Sequence, residues 1–353
     1  MSKAKVLVAM SGGVDSSVAA FLLTQNGYDC VGCTMKLCPD DAAHDGGCCT
    51  VDDAEDARSV ARRVGIPFHV FNMTDDFKRE VIDRFISRYL AGRTPNPCVD
   101  CNKTMKFGLL RRRGEELGYD VIATGHYARI EFCDGKWTLR KARDPSKDQS
   151  YVLYHLTQKE LSKTLFPLGD LTKEEARKIA AENGFLNAGK PDSQDICFVP
   201  DGDYAGVIRR YTGVVEPEGD FILPDGTVIG RHKGISRYTV GQRRGLGIAY
   251  SEPLYVKRIL VAENKVLLGR DEDLYESACD VAEVNWIADE TPSGPIRCAV
   301  KIRYRQTEQP ATVTPLEGGR AHVEFDRPQR AITPGQSAVF YDGDEVLGGG
   351  EIE

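Results

Sequence analysis

The sequence predicts an α/β protein: a doubly wound parallel-sheet domain over 1–205, a small middle domain over 206–272 and a β-barrel-like domain over 273–353. Three observations carry that expectation. Strand-like and helix-like segments alternate from the start to about residue 125, the pattern of a parallel sheet covered by helices. After about residue 205 glycine and proline become frequent and the helical period disappears. Short alternating segments then take over, as in antiparallel sheet.

Each element has a local reason. Lys5–Met10 (KVLVAM) is short, apolar and abruptly ended, as a buried parallel strand is. Val14–Gln25 carries Val14, Val18, Phe21 and Leu22 at helical spacing. Cys30–Lys36, Phe68–Asn72 and Asp120–Thr124 read as further strands. Between them, Thr50–Val64 reads as a helix opened by a Thr50/Asp53 capping box. Asp75–Leu90 reads as a second, with Phe77, Val81, Phe85 and Tyr89 on one face, and Met105–Leu117 as a third. Farther on, Ala299–Arg305, Ala321–Phe325 and Ser337–Tyr341 read as strands. In the first of these Val300, Ile302 and Tyr304 share one face, and Lys301, Arg303 and Arg305 the other.

At 353 residues the chain has room for two or three cores, and 41% hydrophobic with 28% charged residues is ordinary for a soluble protein. The start offers too few apolar residues for a signal peptide, and no apolar run approaches a membrane span. The expected compartment is therefore the cytoplasm, with eleven cysteines serving as thiols, metal ligands or catalysts. The net charge of −7 hides two basic runs. Residues 101–113 carry five positive charges and no negative one, and residues 228–258 carry seven against Glu252 alone. Solvated faces explain some such runs; two of them beside an anion-binding turn point to a polyanionic substrate.

That turn is Val8–Ser17 (VAMSGGVDSS), between the first strand and the first helix. A glycine-rich turn at a helix start leaves backbone N–H groups pointing outward and adds the helix dipole, so it can cradle a phosphate. Gly12 and Gly13 let the backbone approach, and Ser11, Ser16 and Ser17 add hydroxyls. Asp15 beside a phosphate needs a bridging cation, which suggests Mg²⁺. The Walker pattern is absent, and the plainer reading is a strand–turn–helix corner of small residues. Gly125 and His126, after the 120–124 strand, are expected at the same crevice.

The cysteines sort by context. Cys30 and Cys33 have zinc-ligand spacing but lie on opposite faces of one strand, which makes them packing residues. Cys133, Cys279 and Cys298 stand alone and are read as inert. Cys38, His44, Cys48 and Cys49 share a polar loop, where a metal or redox role is open. Cys98 and Cys101 follow the rigid turn Thr94–Pro97 and precede a basic helix, so Lys103, Lys106 and the helix start favour a thiolate. Cys197 follows the polar run Gly189–Asp195. A structural zinc site is the alternative for these three.

The string SGGVDS resembles the loop of the PP-loop ATP pyrophosphatases. SGGVDSS, NPCVDCNKTMKF, ATGHYAR, KDQSYVL, KPDSQDICFV, VGQRRGLG and KIRYRQ follow one another as in tRNA-specific 2-thiouridylases, and TPGQSAVFY extends the likeness to the end. The resemblance implies an ATP-dependent enzyme that replaces O2 of the wobble uridine with sulfur in tRNAs such as those for Lys, Glu and Gln. It implies ATP contacts at Ala9, Met10, Ser11, Gly12, Gly13, Val14, Asp15, Ser16, Met35 and Gly125. It implies tRNA contacts at His126, Lys147, Asp148, Gln149, Arg303, Tyr304 and Gln336, with Asn96, Pro97 and Cys98 lining the target base. Cys197 would carry a persulfide from a cysteine desulfurase or sulfur-relay protein. Cys101 would free that sulfur and leave a Cys101–Cys197 disulfide. One departure stands out: many members have Asp where this chain has Cys98. Cys98, Cys101 and Cys197 are instead a candidate ligand set for a 4Fe-4S cluster. Two rivals remain, a PP-loop ligase for a small metabolite and a non-enzymatic RNA-binding or redox module.

Overall fold

The computed structural model describes residues 4–38, 51–191, 196–199 and 202–353. The first sheet contains β1 (Lys5–Ala9), β2 (Asp29–Lys36), β3 (Phe68–Asn72), β4 (Val121–Thr124) and the short Thr164–Leu165 strand, which is β7 once the hairpin below is counted. Its order is β3-β2-β1-β4-β7 and every pairing is parallel. The central strand is buried on both faces, with Val6, Leu7 and Val8 at most 1% exposed, as its continuous apolar run requires. The strand order reverses beside β1, so the carboxyl ends of β1 and β4 flank the crevice where ligands bind in such sheets.

Helices α1 (Val14–Gln25) and α2 (Val51–Val64) cover this sheet. Thr50, of the expected capping box, lies outside the described residues, and the Asp53 carboxylate pairs with Lys190 at 2.6 Å. Cys30 and Cys33 bury into two different apolar clusters on the two faces of β2, as strand alternation predicts. The segment 74–90 is helical with a π-type stretch at Lys78–Ile82. It buries Phe77, Val81, Phe85 and Tyr89.

The third helix starts earlier than the sequence spacing predicts. Residues 97–116 are helical throughout, and Cys101–Leu110 is π-type. Pro97 takes the first helical position, where its missing N–H costs nothing, and Asn96 caps the end by accepting the Cys98 N–H at 3.2 Å. A Cβ on Gly108 would lie 2.9 Å from the Lys103 carbonyl oxygen, so the wider coil depends on glycine there.

The hairpin β5 (Arg129–Cys133) and β6 (Lys136–Arg140) turns at Asp134-Gly135, both with positive φ. The middle unit holds β8 (Gly219–Ile222), β9 (Val228–His232), β10 (Tyr255–Leu260) and β11 (Lys265–Gly269) in the order β10-β11-β8-β9 around Phe221, Val256, Val266 and Leu268. The last unit comprises β12 (Tyr275–Trp286), β13 (Ile296–Lys301), β14 (Gln309–Leu316), β15 (Arg320–Arg330), β16 (Ser337–Asp342) and β17 (Glu345–Ile352). These run β12-β15-β14-β13-β16-β17, and β17 pairs back onto β12, closing a six-stranded barrel. The fold class is therefore the one the sequence predicts, with one addition. The β5–β6 hairpin joins β17 through Leu139↔Val346 and fastens the barrel to the first unit.

The strand expected at Ala299–Arg305 ends at Lys301. Val300 and Ile302 are buried, but the chain then turns and Tyr304 emerges 39% exposed. Arg303 holds the turn by donating from Nη2 to the Val240 carbonyl (3.0 Å), the Ala331 carbonyl (3.0 Å) and Thr333 Oγ1 (2.7 Å). No described helix is long and apolar enough to cross a membrane.

Candidate active site

The Met10–Gly13 turn leaves β1 at the crevice. Gly12 has a φ of +78°, and a Cβ there would lie 2.3 Å from the Asp53 carbonyl oxygen, so only glycine fits. Gly13 is the N-cap of α1, and no side chain caps that end. The first-turn N–H groups and the dipole thus face the crevice. The Ser16 and Ser17 hydroxyls organise the turn, while Ser11 is exposed. Ser16 Oγ accepts the Ser11 N–H (3.1 Å) and donates to the Gly13 carbonyl (3.2 Å), to which Ser17 Oγ also donates (2.9 Å). Buried Asn187 donates to the Gly12 carbonyl at 2.9 Å and braces it from behind. Gly125, at the end of β4, presses on the same helix start: its Cβ would lie 2.6 Å from the Ser16 nitrogen. Met35 is buried at the end of β2.

Asp15 already faces a cation. Lys173, nearly buried, donates to both carboxylate oxygens (2.7 and 2.8 Å), and the Tyr127 hydroxyl donates to Oδ1 at 2.8 Å. Among the described residues no three His, Cys, Asp or Glu side chains are gathered to hold a metal. Magnesium is commonly held by one or two carboxylates plus substrate phosphates, so Asp15 fits as a single protein ligand beside a phosphate. Among the described residues Cys98, Cys101 and Cys197 are likewise not gathered into one group.

Cys98 is exposed in the first turn of helix 97–116, Cys101 is half-buried one turn on, and neither they nor Cys197 form a disulfide. Cys101 and Cys197 border one apolar core, into which Phe198 wedges with its ring 5.8 Å from Phe77 and 5.1 Å from Phe85. The cysteine helix is tied to the barrel by charge. Arg88 bonds Asp100 (2.5 Å) and Glu351 (2.8 Å), and Arg93 bonds Glu351 (2.7 Å). Burial pushes both the Asp100 and Glu351 carboxyls up, against the pull of these arginines. Gln336 donates to the Thr94 carbonyl at 2.7 Å, docking the loop before Asn96.

Of the expected RNA-facing residues, Tyr304, Asp148 and Cys98 come together. The Tyr304 hydroxyl donates to the Asp148 carbonyl (3.3 Å), and its pKa is raised by burial, then by Asp148 and Cys98. Asp148 itself shapes its loop, accepting the Ala142 and Ser150 N–H groups, while Gln149 Oε1 accepts the Tyr127 N–H at 2.9 Å. Lys147 is half-buried beside them. Arg303 and Gln336 spend their side chains on contacts between units. His126 is buried, and burial, with Lys106 and His155 after it, lowers its pKa well below the usual value, so its imidazole is neutral.

Sequence reasoning missed Lys173, Tyr127 and Asn187. Tyr127 sits in the ATGHYAR run, a signal that was present, but nothing local joins Lys173 to a partner 158 residues away. Of the three cysteines read as inert, burial pushes the Cys279 and Cys298 thiols up to about 12, while Cys133 is exposed. Cys48, Cys49 and His44 lie outside the described residues; Cys38 borders the core of the first unit.

Comparison with known proteins bears on this arrangement. A family model described as a tRNA methyl transferase HUP domain matches residues 4–201, a PRC-barrel model 206–270, and an aminomethyltransferase beta-barrel model 276–352. The chain is 49% identical to the tRNA-specific 2-thiouridylase MnmA of Clostridium acetobutylicum over 99% of both chains. It is 48% identical to that of Clostridioides difficile, over 99% of this chain and 98% of the relative. The chain belongs to the tRNA-specific 2-thiouridylase family. A crystal structure of a 4-thiouridine synthetase–RNA complex with bound ATP aligns with a TM-score of 0.39 and 21% identity, over 56% of this chain and 46% of that one.

In this member of the family, the basic run of the middle unit is a surface. Arg231, Lys233, Arg237, Arg243, Arg244 and Arg258 are exposed, and only Arg231 and Arg237 have a described carboxylate partner, Asp220 at 3.2 Å and Asp203 at 3.7 Å. The 101–113 run is more nearly balanced. Lys103, Arg111 and Arg113 pair with Glu283, Glu115 and Glu116.

Proposed function

We propose that this protein is an ATP-dependent tRNA uridine 2-sulfurtransferase that adenylates the wobble uridine and exchanges its O2 for sulfur. The observation that carries the reading is the uncapped turn at the α1 start, where Gly12 and Gly125 leave no room even for a methyl group. Such a cradle suits the phosphate groups of a nucleotide. The full-length likeness to named 2-thiouridylases supports the substrate.

A uracil carbonyl oxygen is a poor leaving group. Its attack on the ATP α-phosphorus expels pyrophosphate and makes it part of AMP, which can leave. Residues 9–16, Met35 and Gly125 hold the nucleotide. Magnesium held by Asp15 would supply charge neutralisation for the departing pyrophosphate. Asn96–Cys98 and Tyr304 line the base, with His126 and Lys147–Gln149 behind them, and Arg303 and Gln336 fix the loops that carry the contacts. Cys197 receives a persulfide from a cysteine desulfurase or relay protein. The Cys101 thiolate attacks the inner sulfur of that persulfide, forming the Cys101–Cys197 disulfide and releasing hydrosulfide. Hydrosulfide adds to C2, AMP departs with the C2–O electron pair, and loss of the S–H proton leaves the thiocarbonyl. A thiol reductant restores the pair. Units 1–205, 206–272 and 273–353 divide the work into adenylation and two RNA-holding surfaces. The tRNAs are those for Lys, Glu and Gln, and the reaction takes place in the cytoplasm.

The test is ATP–pyrophosphate exchange in the purified protein. Exchange that requires tRNA supports the reading; exchange that requires an amino acid or other small metabolite, or AMP formation without tRNA, would replace it with the ligase alternative.

A further inference from the structure

Lys106 is a half-buried ammonium with no described carboxylate partner. Its described contact is the Nε2 of His126 at 3.5 Å. An ammonium can only donate, so Nε2 is the acceptor, and the Nδ1–H then donates to Thr124 Oγ1 at 2.6 Å. A neutral imidazole orients the ammonium and leaves its positive charge uncancelled.

The position of this charge follows from three features. His126 adjoins Gly125, which is packed against the Asp15–Ser16 backbone at the start of α1. The ammonium is therefore held on the β4 side of the crevice, by a residue whose neighbour packs on the nucleotide turn. Lys106 also shares a helix with Cys101, and the π-type winding of Cys101–Leu110 matters here. In an α-helix, residues five apart point roughly 140° from each other. With i→i+5 bonding the coil is wider and that angle narrows, which brings Cys101 and Lys106 toward the same side of the helix.

We infer that Lys106 is a catalytic residue that contacts the α-phosphate, stabilising the charge that builds there as the uridine oxygen attacks and again as AMP leaves. His126 is its positioning residue. This rests on the adenylation reading above. In the first step the O2–Pα bond forms and the Pα–O bond to pyrophosphate breaks; in the second the C2–O bond breaks with its electron pair going to AMP. Lys106 transfers no proton in either. A lysine acting on a charge that develops in the transition state changes kcat, whereas one that merely grips RNA changes affinity.

The experiment compares Lys106→Met and Lys106→Arg with the wild-type protein in tRNA-dependent AMP release with a persulfide donor present, with ATP and tRNA varied separately. Lys106→Met is expected to lower kcat by about 100-fold, with both KM values within about threefold. Lys106→Arg, which keeps the charge, is expected to recover most of that loss. A methionine variant with wild-type kcat, or one whose loss lies wholly in the KM for tRNA, would overturn the assignment. An arginine variant as slow as the methionine one would overturn it too. Wild-type protein that shows no tRNA-dependent ATP–pyrophosphate exchange would instead sink the adenylation reading itself, so the two failures are distinguishable.

Discussion

Gly125→Ala probes the contact between β4 and the start of α1. The new Cβ would stand 2.6 Å from the Ser16 nitrogen, 2.7 Å from the Asp15 carbonyl carbon and 2.9 Å from the Ser16 Cα. All three are backbone atoms, so no side chain can rotate away. Restoring ordinary contact requires the strand end and the helix start to part by roughly 0.5–0.8 Å. Overpacking of this kind costs about 1–3 kcal/mol. The functional loss should be larger in proportion, because a displacement approaching ~1 Å in a phosphate cradle costs about 100-fold in rate. Gly294→Ala is the control, since its Cβ would meet nothing within 4 Å. Thermal denaturation gives the stability term and tRNA-dependent AMP release gives the rate. A Gly125→Ala protein with wild-type melting and wild-type AMP release would refute the packing argument and the placement of the nucleotide.

Other consequences follow from the same site. Asp15→Ala should abolish AMP formation while tRNA affinity holds, and should destabilise the fold by about 1–3 kcal/mol because nearly buried Lys173 loses its carboxylate; that figure is discounted for the one-third exposure of Asp15. Lys173→Met on that background should restore part of the stability and none of the activity, as read by denaturant titration. Cys101→Ser and Cys197→Ser should each adenylate tRNA and make no 2-thiouridine; a near-normal thiolation rate in either would contradict the relay. If the exposed arginines of 228–258 meet phosphates, tRNA affinity should fall steeply with salt, and each arginine removed should lower the log–log slope by about one. His126 and His155 are buried neutral; burial first, then Lys103, pushes His155 down to about 3. Their depressed pKa values contribute stability that is present above the unfolded value and lost as pH falls below it. Unfolding free energy should therefore drop by roughly 1 kcal/mol per histidine between about pH 6.5 and 5.5, and His155→Phe should flatten that slope.

Much of this was legible because local chemistry dictated it. The anion turn could be read because glycine and serine sit between a short apolar strand and a largely apolar helical run, which admits few other folds. Cys30 and Cys33 could be sorted because a strand alternates, and the helix at 74–90 because Phe77, Val81, Phe85 and Tyr89 repeat. The start of helix 97–116 was harder, since Pro95 and Pro97 look like a turn until Pro97 is seen to occupy a first helical position. The Asp134-Gly135 hairpin carried a signal that a helix-and-strand count passes over, two residues with positive φ. Tyr304 leaves its strand because Arg303 finds three acceptors on other segments, which no alternating pattern contains. The charge of 101–113 is partly offset by Glu115 and Glu116, which follow just beyond the run and pair back onto Arg111 and Arg113. The Lys173–Asp15 pair is purely tertiary and had no sequence trace.

The most direct measurement is nucleoside mass spectrometry of a wobble-uridine tRNA incubated with the purified protein, ATP and a persulfide donor, with AMP quantified in the same sample. The account predicts a wobble uridine that has exchanged one oxygen for one sulfur at C2, with one AMP released per thionucleoside formed. An unmodified uridine despite AMP release, or a methylated nucleoside in place of the thiolated one, would contradict it.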